Sequence, residues 1–185
     1  PVLGGGKTPE EARRARLLRQ AISIAVDWEE NIAIFQKNQG IPAHGPLPPG
    51  LFGWRDDGPS AFNPVVYRKT EEGRVVRRSI DEAKALLKEA GFPDGRDALT
   101  GKPLILSFDY QNAAQGSKAY LEWYQRQFAK LGIQLDIRAT DYNRFQDKMN
   151  RGAAQIFLWG WVADYPDAEN FLFLFYGPNG KVKHG

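Results

Sequence analysis

Apolar and polar residues alternate along this chain with two distinct periods, and the changes of period mark its elements. Leu18, Ala21, Ile22 and Ala25 recur at helical spacing behind Thr8-Pro9-Glu10-Glu11, a capping box with proline at the first helical position. Asp27-Trp28-Glu29-Glu30 repeats the device for a second helix carrying Ile32, Ile34 and Phe35. Helices are therefore expected over residues 7–39. From Gly40 to Pro64 the period vanishes into a Pro/Gly-rich run that includes Pro59. Proline fixes φ and removes amide donors, so an extended, irregular segment is predicted over 40–64. Its apolar residues Ile41, Leu47, Leu51, Phe52, Trp54 and Phe62 predict that it packs onto the body of the protein.

Ser79-Ile80-Asp81-Glu82 opens another boxed helix with Ala83, Leu86, Leu87 and Ala90, closed by Gly91, which places a helix over 79–91. Leu104 to Tyr110 has the composition of a strand. A helix from Ser117 to Lys130 follows, with Tyr120, Tyr124, Phe128 and Leu131 on one face and Gly132 as its stop. Ile133, Leu135, Ile137 and Ala139 then alternate with Gln134, Asp136 and Arg138, a period of two that predicts a strand buried on one face. Asp141 caps a short helix holding Phe145 and Met149. Ile156 to Trp161 is apolar at every position but Gly160, the pattern of a strand covered on both faces.

Strand, helix, strand, helix, strand over residues 103–176 predicts an α/β fold with a parallel βαβαβ core and right-handed crossovers. The half-polar second strand belongs at an edge and the apolar third inside, giving the order second, first, third (2-1-3). Ligands of open α/β sheets bind beyond the carboxyl ends of the strands where the order reverses. Those ends carry Asp109, Tyr110 and Gln111 from the first strand, and Trp161, Asp164 and Tyr165 after the third. A carboxylate beside flat rings recognises a positive group on an apolar body. Asp164, Trp161, Tyr165, Tyr110 and Gln111 are the candidate ligand-binding residues; Asp167 is expected to cap the helix that follows.

Composition narrows the function. The 185 residues are 42% hydrophobic and 12% aromatic, enough for one packed domain. A net charge of +3 from 25 basic and 22 acidic residues, with no basic stripe, gives no nucleic-acid surface. The cluster Arg13, Arg14, Arg16 and Arg19 shares its helix with Glu10 and Glu11 and is expected to be a solvated face, or else a docking surface for a partner. The absence of cysteine excludes disulfides and thiolate chemistry, and His44 and His184 stand apart from any nucleophile or metal-ligand pattern. No cofactor or metal is called for and no catalytic residue is assigned. The alternative to binding is a carboxylate-dependent hydrolase using Asp164 with Asp167 or Glu169, which requires the two carboxyls to face one cleft.

Four stretches together carry a resemblance: Arg19 to Asp27 (Arg-Gln-Ala-Ile-Ser-Ile-Ala-Val-Asp), Gly45 to Gly50 (Gly-Pro-Leu-Pro-Pro-Gly), Ala83 to Pro93, and Gly160 to Phe171. In this order they resemble the family 5 solute-binding proteins of ABC importers, the oligopeptide, dipeptide and nickel-binding group, from Pro9 to Tyr176. The resemblance implies a type II periplasmic-binding-protein-like fold and an extracytoplasmic receptor of two lobes that closes on a peptide or small-molecule solute and delivers it to a membrane permease. It also implies that residues 1–185 are a single lobe, a fragment that works with a missing first lobe. In such proteins the Asp of the Gly-Trp-x-x-Asp run holds the ligand's amino terminus and its Trp lines a side-chain pocket, which implies those roles for Asp164 and Trp161. Some relatives place an arginine three residues ahead of that Trp for the ligand carboxylate; this chain has Leu158 there.

Overall fold

The computed structural model describes residues 2–57, 61–111 and 117–180; His184 and Pro59 lie outside them. Helix α1 (Pro9–Ala25) begins at the Thr8 capping box, where the Thr8 hydroxyl accepts from the Glu11 amide and the Glu11 carboxylate accepts from Thr8. Asp27 caps α2 (Trp28–Phe35), and the Ser79 box opens α3 (Ile80–Glu89). Each box satisfies amides that a helix start leaves without partners, which is why these boundaries fall where the residues place them.

Between α2 and α3 lies a hairpin of β1 (Tyr67–Lys69) and β2 (Val75–Arg77), paired antiparallel. Sequence patterning misses it, because three-residue strands are too short to display a period. Arg77 ties it to the body: its guanidinium donates at 2.6 Å to the carbonyls of Ile24 and Val26 and at 2.6 Å to Glu29. Tyr67 donates its hydroxyl to the same Glu29, and burial, with that hydrogen bond, raises the phenol far above its ordinary pKa.

The core sheet comprises β3 (Ile105–Gln111), β4 (Gln134–Thr140) and β5 (Ile156–Leu158), in the order β4-β3-β5 with both pairings parallel. Helix α4 (Ser117–Ala129) connects the first pair and α5 (Tyr142–Asn150), capped by Asp141, precedes β5. Order and direction match the expectation, but its reason needs correcting. β5 is not interior: it forms the second edge of the described sheet, spans three residues rather than six, and leaves Phe157 52% exposed. Helix α5 is tied to β3 through the Lys148–Asp109 pair, while β5 itself is half-buried at Ile156 and Leu158 and open at Phe157.

Leu106 and Phe108 point to the main core with Leu18, Ala21, Ala83, Leu87, Trp123 and Phe128. Alanines at the α1–α3 contact let the two backbones approach closely. Trp123, fully buried, is the largest core side chain, and Trp28 and Phe35 of α2 pack on it with ring centroids at 5.9 and 6.3 Å. The arginines of α1 also depart from expectation. Arg13 pairs with Glu89, Arg14 donates to the Ala90 carbonyl at 2.9 Å, and Arg19 holds the Leu3 carbonyl at 2.7 Å. Three of the four cations thus clasp neighbouring chain instead of facing water alone.

Two turns meet where α4 ends. Gly132 (φ +72°) and Gly95 (φ +72°) lie back to back, so close that a Cβ on Gly95 would stand 2.2 Å from the Gly132 carbonyl oxygen. Only glycine fits both the left-handed backbone and that approach.

Candidate site at the carboxyl edge of the sheet

The strands deliver Gln111, Thr140 and Leu158 to one edge, and β5 runs directly into Trp159-Gly160-Trp161 and the turn to Asp164. One residue organises that turn. Asn170 lies at the second position of α6 (Glu169–Leu172) and is 3% exposed. Its Oδ1 accepts from both the Trp161 indole Nε1–H and the Asp164 backbone N–H, each at 3.1 Å. Because Asn170 is buried and its oxygen doubly occupied, the loop is held in one shape. The Trp161 ring rests edge-on against Phe173, centroids 5.2 Å apart, and remains 44% exposed.

Asp164 is exposed, and among the described residues no hydrogen bond or ion pair engages its carboxylate. Its neighbours are committed otherwise. Asp167 accepts from the Glu169 amide at 2.8 Å in the turn ahead of α6; the expected cap is not formed, because Ala168 holds the N-cap position and makes no side-chain bond there. Glu169 accepts the Tyr165 hydroxyl. That bond to the Glu169 carboxylate raises the phenol's pKa. Each of the two candidate partners of Asp164 in a hydrolase, Asp167 or Glu169, thus accepts a hydrogen bond from its own loop. Tyr165 itself is 48% exposed.

Tyr110, half-buried, stacks near Phe108 (centroids 6.4 Å) and pairs in register with Leu158; Gln111, also half-buried, ends the strand. Tyr110 and Trp161 thus come from the ends of adjacent strands. Asp109 does not join them at the surface. In the parallel register it lies opposite Phe157, 1% exposed, and its Oδ1 is paired with Lys148 Nζ from α5. Among the described residues its Oδ2 has no partner. Patterning missed this ion pair and also Asn170, since a single polar residue in a short helix carries no sequence signal apart from its neighbours.

The Pro/Gly-rich segment lines a groove of its own. Ile41, Pro46, Leu47 and Trp54 face Phe171 and Leu172 of α6 across a groove of about 730 Å³. The expectation that its apolar residues pack inward holds only in part: Leu47 and Phe62 are half-buried, whereas Ile41 is 68% and Phe52 93% exposed. The prolines prevent the run from pairing as strand or coiling as helix, so it forms a wall rather than a layer. His44 is exposed, its ring edge-on to Tyr67 at 4.9 Å.

Known proteins resemble this chain in sequence and in fold. The dipeptide-binding protein of Escherichia coli (strain K12) is 27% identical over 156 residues, covering 84% of this chain and 25% of that protein. The oligopeptide-binding protein OppA of Bacillus subtilis (strain 168) is 26% identical over 164 residues, covering 88% of this chain and 27% of the relative. The chain thus spans about a quarter of the length of these curated relatives. Among solved structures, the periplasmic oligopeptide-binding protein OppAIV of Borrelia burgdorferi superposes with a TM-score of 0.69 at 22% identity, over 97% of this chain and 31% of that one, which establishes a shared fold. No helix among the described residues is long and apolar enough to cross a membrane. Residues 12–183 match the model of the bacterial extracellular solute-binding proteins, family 5, middle portion, and the chain belongs to that family.

Proposed function

We propose that this chain is one lobe of the solute-binding component of an ABC importer, and that the carboxyl edge of its sheet takes the amine of a peptide or similar cationic solute. The observation that carries the reading is the Asn170 clamp, which fixes Trp161 and the Asp164 backbone while leaving the Asp164 carboxylate exposed and unengaged. A preorganised anion costs little to order on binding, and an ammonium placed on it forms charge-assisted hydrogen bonds. Trp161, Tyr165 and Tyr110 supply walls for the apolar body, and Gln111 a polar contact. Relatives named for dipeptides and oligopeptides support a peptide as the solute.

In this reading the rest of the protein provides the opposing lobe, and closure over the solute favours the form a membrane permease recognises. The site of action is extracytoplasmic, at the membrane through the importer. Chemistry here is binding alone. Asp167 and Glu169 each accept a local hydrogen bond, which favours a structural part for both over acid–base work beside Asp164.

Calorimetry on the whole protein tests this. A tripeptide should bind, its N-acetylated form should lose roughly 10-fold or more in affinity, and Asp164→Asn should lose as much for the free amine, since a charged hydrogen-bonded pair contributes about 1.5–3 kcal/mol. Asn170→Leu should weaken binding with the carboxylate intact, because the turn is released. Equal affinity for free and acetylated peptide would refute the amine anchor.

A further inference from the structure

The edge carries one more aromatic residue, and its surroundings resemble those of Trp161. Trp159 is 41% exposed, next to the end of β5, and its ring meets Phe145 edge-on with centroids 5.4 Å apart. Trp161, two residues on, is 44% exposed and rests on Phe173 in the same manner. Gly160 separates the two indoles. Each is supported from behind by a phenylalanine through a T-shaped contact, which immobilises a ring while leaving part of it open.

The support beneath Trp159 is firm. Phe145 is fully buried in the first turns of α5, and α5 is pinned to the sheet by the Lys148–Asp109 ion pair, whose carboxylate side chain is 2% exposed. A large ring half-exposed on a rigid base, one residue from a ligand loop, is more than the fold requires. Core demand is met by Phe145 alone, and a surface tryptophan with no contact to make loses apolar burial. Trp159 stands on the stretch by which β5 (Ile156–Leu158) leads into the clamped turn to Asp164.

We propose that Trp159 forms a second aromatic wall of the solute site, receiving a flat apolar side chain of a ligand whose amine is held at Asp164. The proposal rests on the reading above and extends it to ligand class: cationic solutes bearing an aromatic group next to the anchored residue, in preference to small aliphatic ones. A fixed ring presented in advance contributes most to ligands that can stack on it, and little to those that cannot.

The test uses the whole protein and two probes, tri-alanine and Ala-Phe-Ala, measured by isothermal titration. Wild type should bind Ala-Phe-Ala roughly 10-fold more tightly than tri-alanine. Trp159→Ala should bring the ratio close to one with tri-alanine affinity within about 3-fold of wild type, and Trp159→Phe should keep a preference. Should the alanine variant fail to fold, Trp159→Leu retains bulk without a ring and should lose the preference equally. A ratio near one in wild type, or a preference that survives Trp159→Leu, overturns the proposal. The Asp164→Asn arm reports separately on the amine anchor: it should weaken both probes alike, and unchanged affinities there refute the anchor while the Trp159 ratio still stands or falls by itself. Binding of neither probe refutes both.

Discussion

Removing Lys148 should cost more than removing Asp109, although the two form one pair. In Lys148→Met the Asp109 carboxylate loses its counter-charge while its side chain stays 2% exposed, with Oδ2 already lacking a partner. A buried charge left unpaired in this way costs about 3–5 kcal/mol. In Asp109→Asn the group left behind is an ammonium on a flexible stem whose side chain is 26% exposed, and it can turn into water. The loss is then that of one hydrogen-bonded contact, about 1–2 kcal/mol. For a domain of this size each kcal/mol moves the midpoint by about 2–4 °C, so thermal denaturation should show a fall of roughly 6–20 °C for Lys148→Met and roughly 2–8 °C for Asp109→Asn. The double variant Asp109→Leu with Lys148→Met should return close to wild type, because neither charge remains to be desolvated. If Asp109→Asn proves as damaging as Lys148→Met, the carboxylate has access to water or another donor, and the argument from its burial fails.

Two further outcomes follow from the turns and caps. Gly132→Ala should destabilise by about 2–4 kcal/mol in thermal melts, combining a left-handed alanine with a Cβ that would stand 2.3 Å from the Asp94 carbonyl oxygen; Gly50→Ala, also at positive φ but in open space, should cost only about 1–2 kcal/mol. Glu82 has its pKa lowered, first by the Ser79 backbone N–H of the capping box and then by Arg78. A folded pKa below the unfolded one means stabilisation present above the ordinary carboxylate value and lost as pH falls through the lowered one. Melts of Glu82→Gln should accordingly show a smaller acid dependence than wild type below about pH 5, and an unchanged acid limb would count against the box as its origin.

Local rules made much of the fold legible. Thr8, Asp27, Ser79 and Asp141 mark helix starts by donor satisfaction within four residues, and the alternation from Ile133 to Ala139 marks a strand with one buried face, so neither needs distant contacts to be read. The strand order behind the carboxyl edge was legible from chain order and polarity, which brings Tyr110 to the end of β3 and Trp161 just past the end of the adjacent β5. The hairpin of β1 and β2 was not, since its strands are shorter than any period and an arginine at its far end anchors it to two carbonyls of the α1 terminus.

What the chain's own order of residues determined is thus the longer helices with the caps of α1, α2, α3 and α5, the three strands of the core sheet, and the edge after which Asp164 lies. What tertiary structure alone decided is the state of each side chain there. Asp109, Asp164, Asp167 and Glu169 are alike as carboxylates, yet one is buried against Lys148, one is open, one braces the turn before α6 and one holds a tyrosine. The Asn170 clamp and the coverage of β5 depend equally on which surfaces meet across the fold. Periodicity reports which face of an element is apolar; only three-dimensional packing supplies the partner that buries it, and a carboxylate's chemistry is set by that partner.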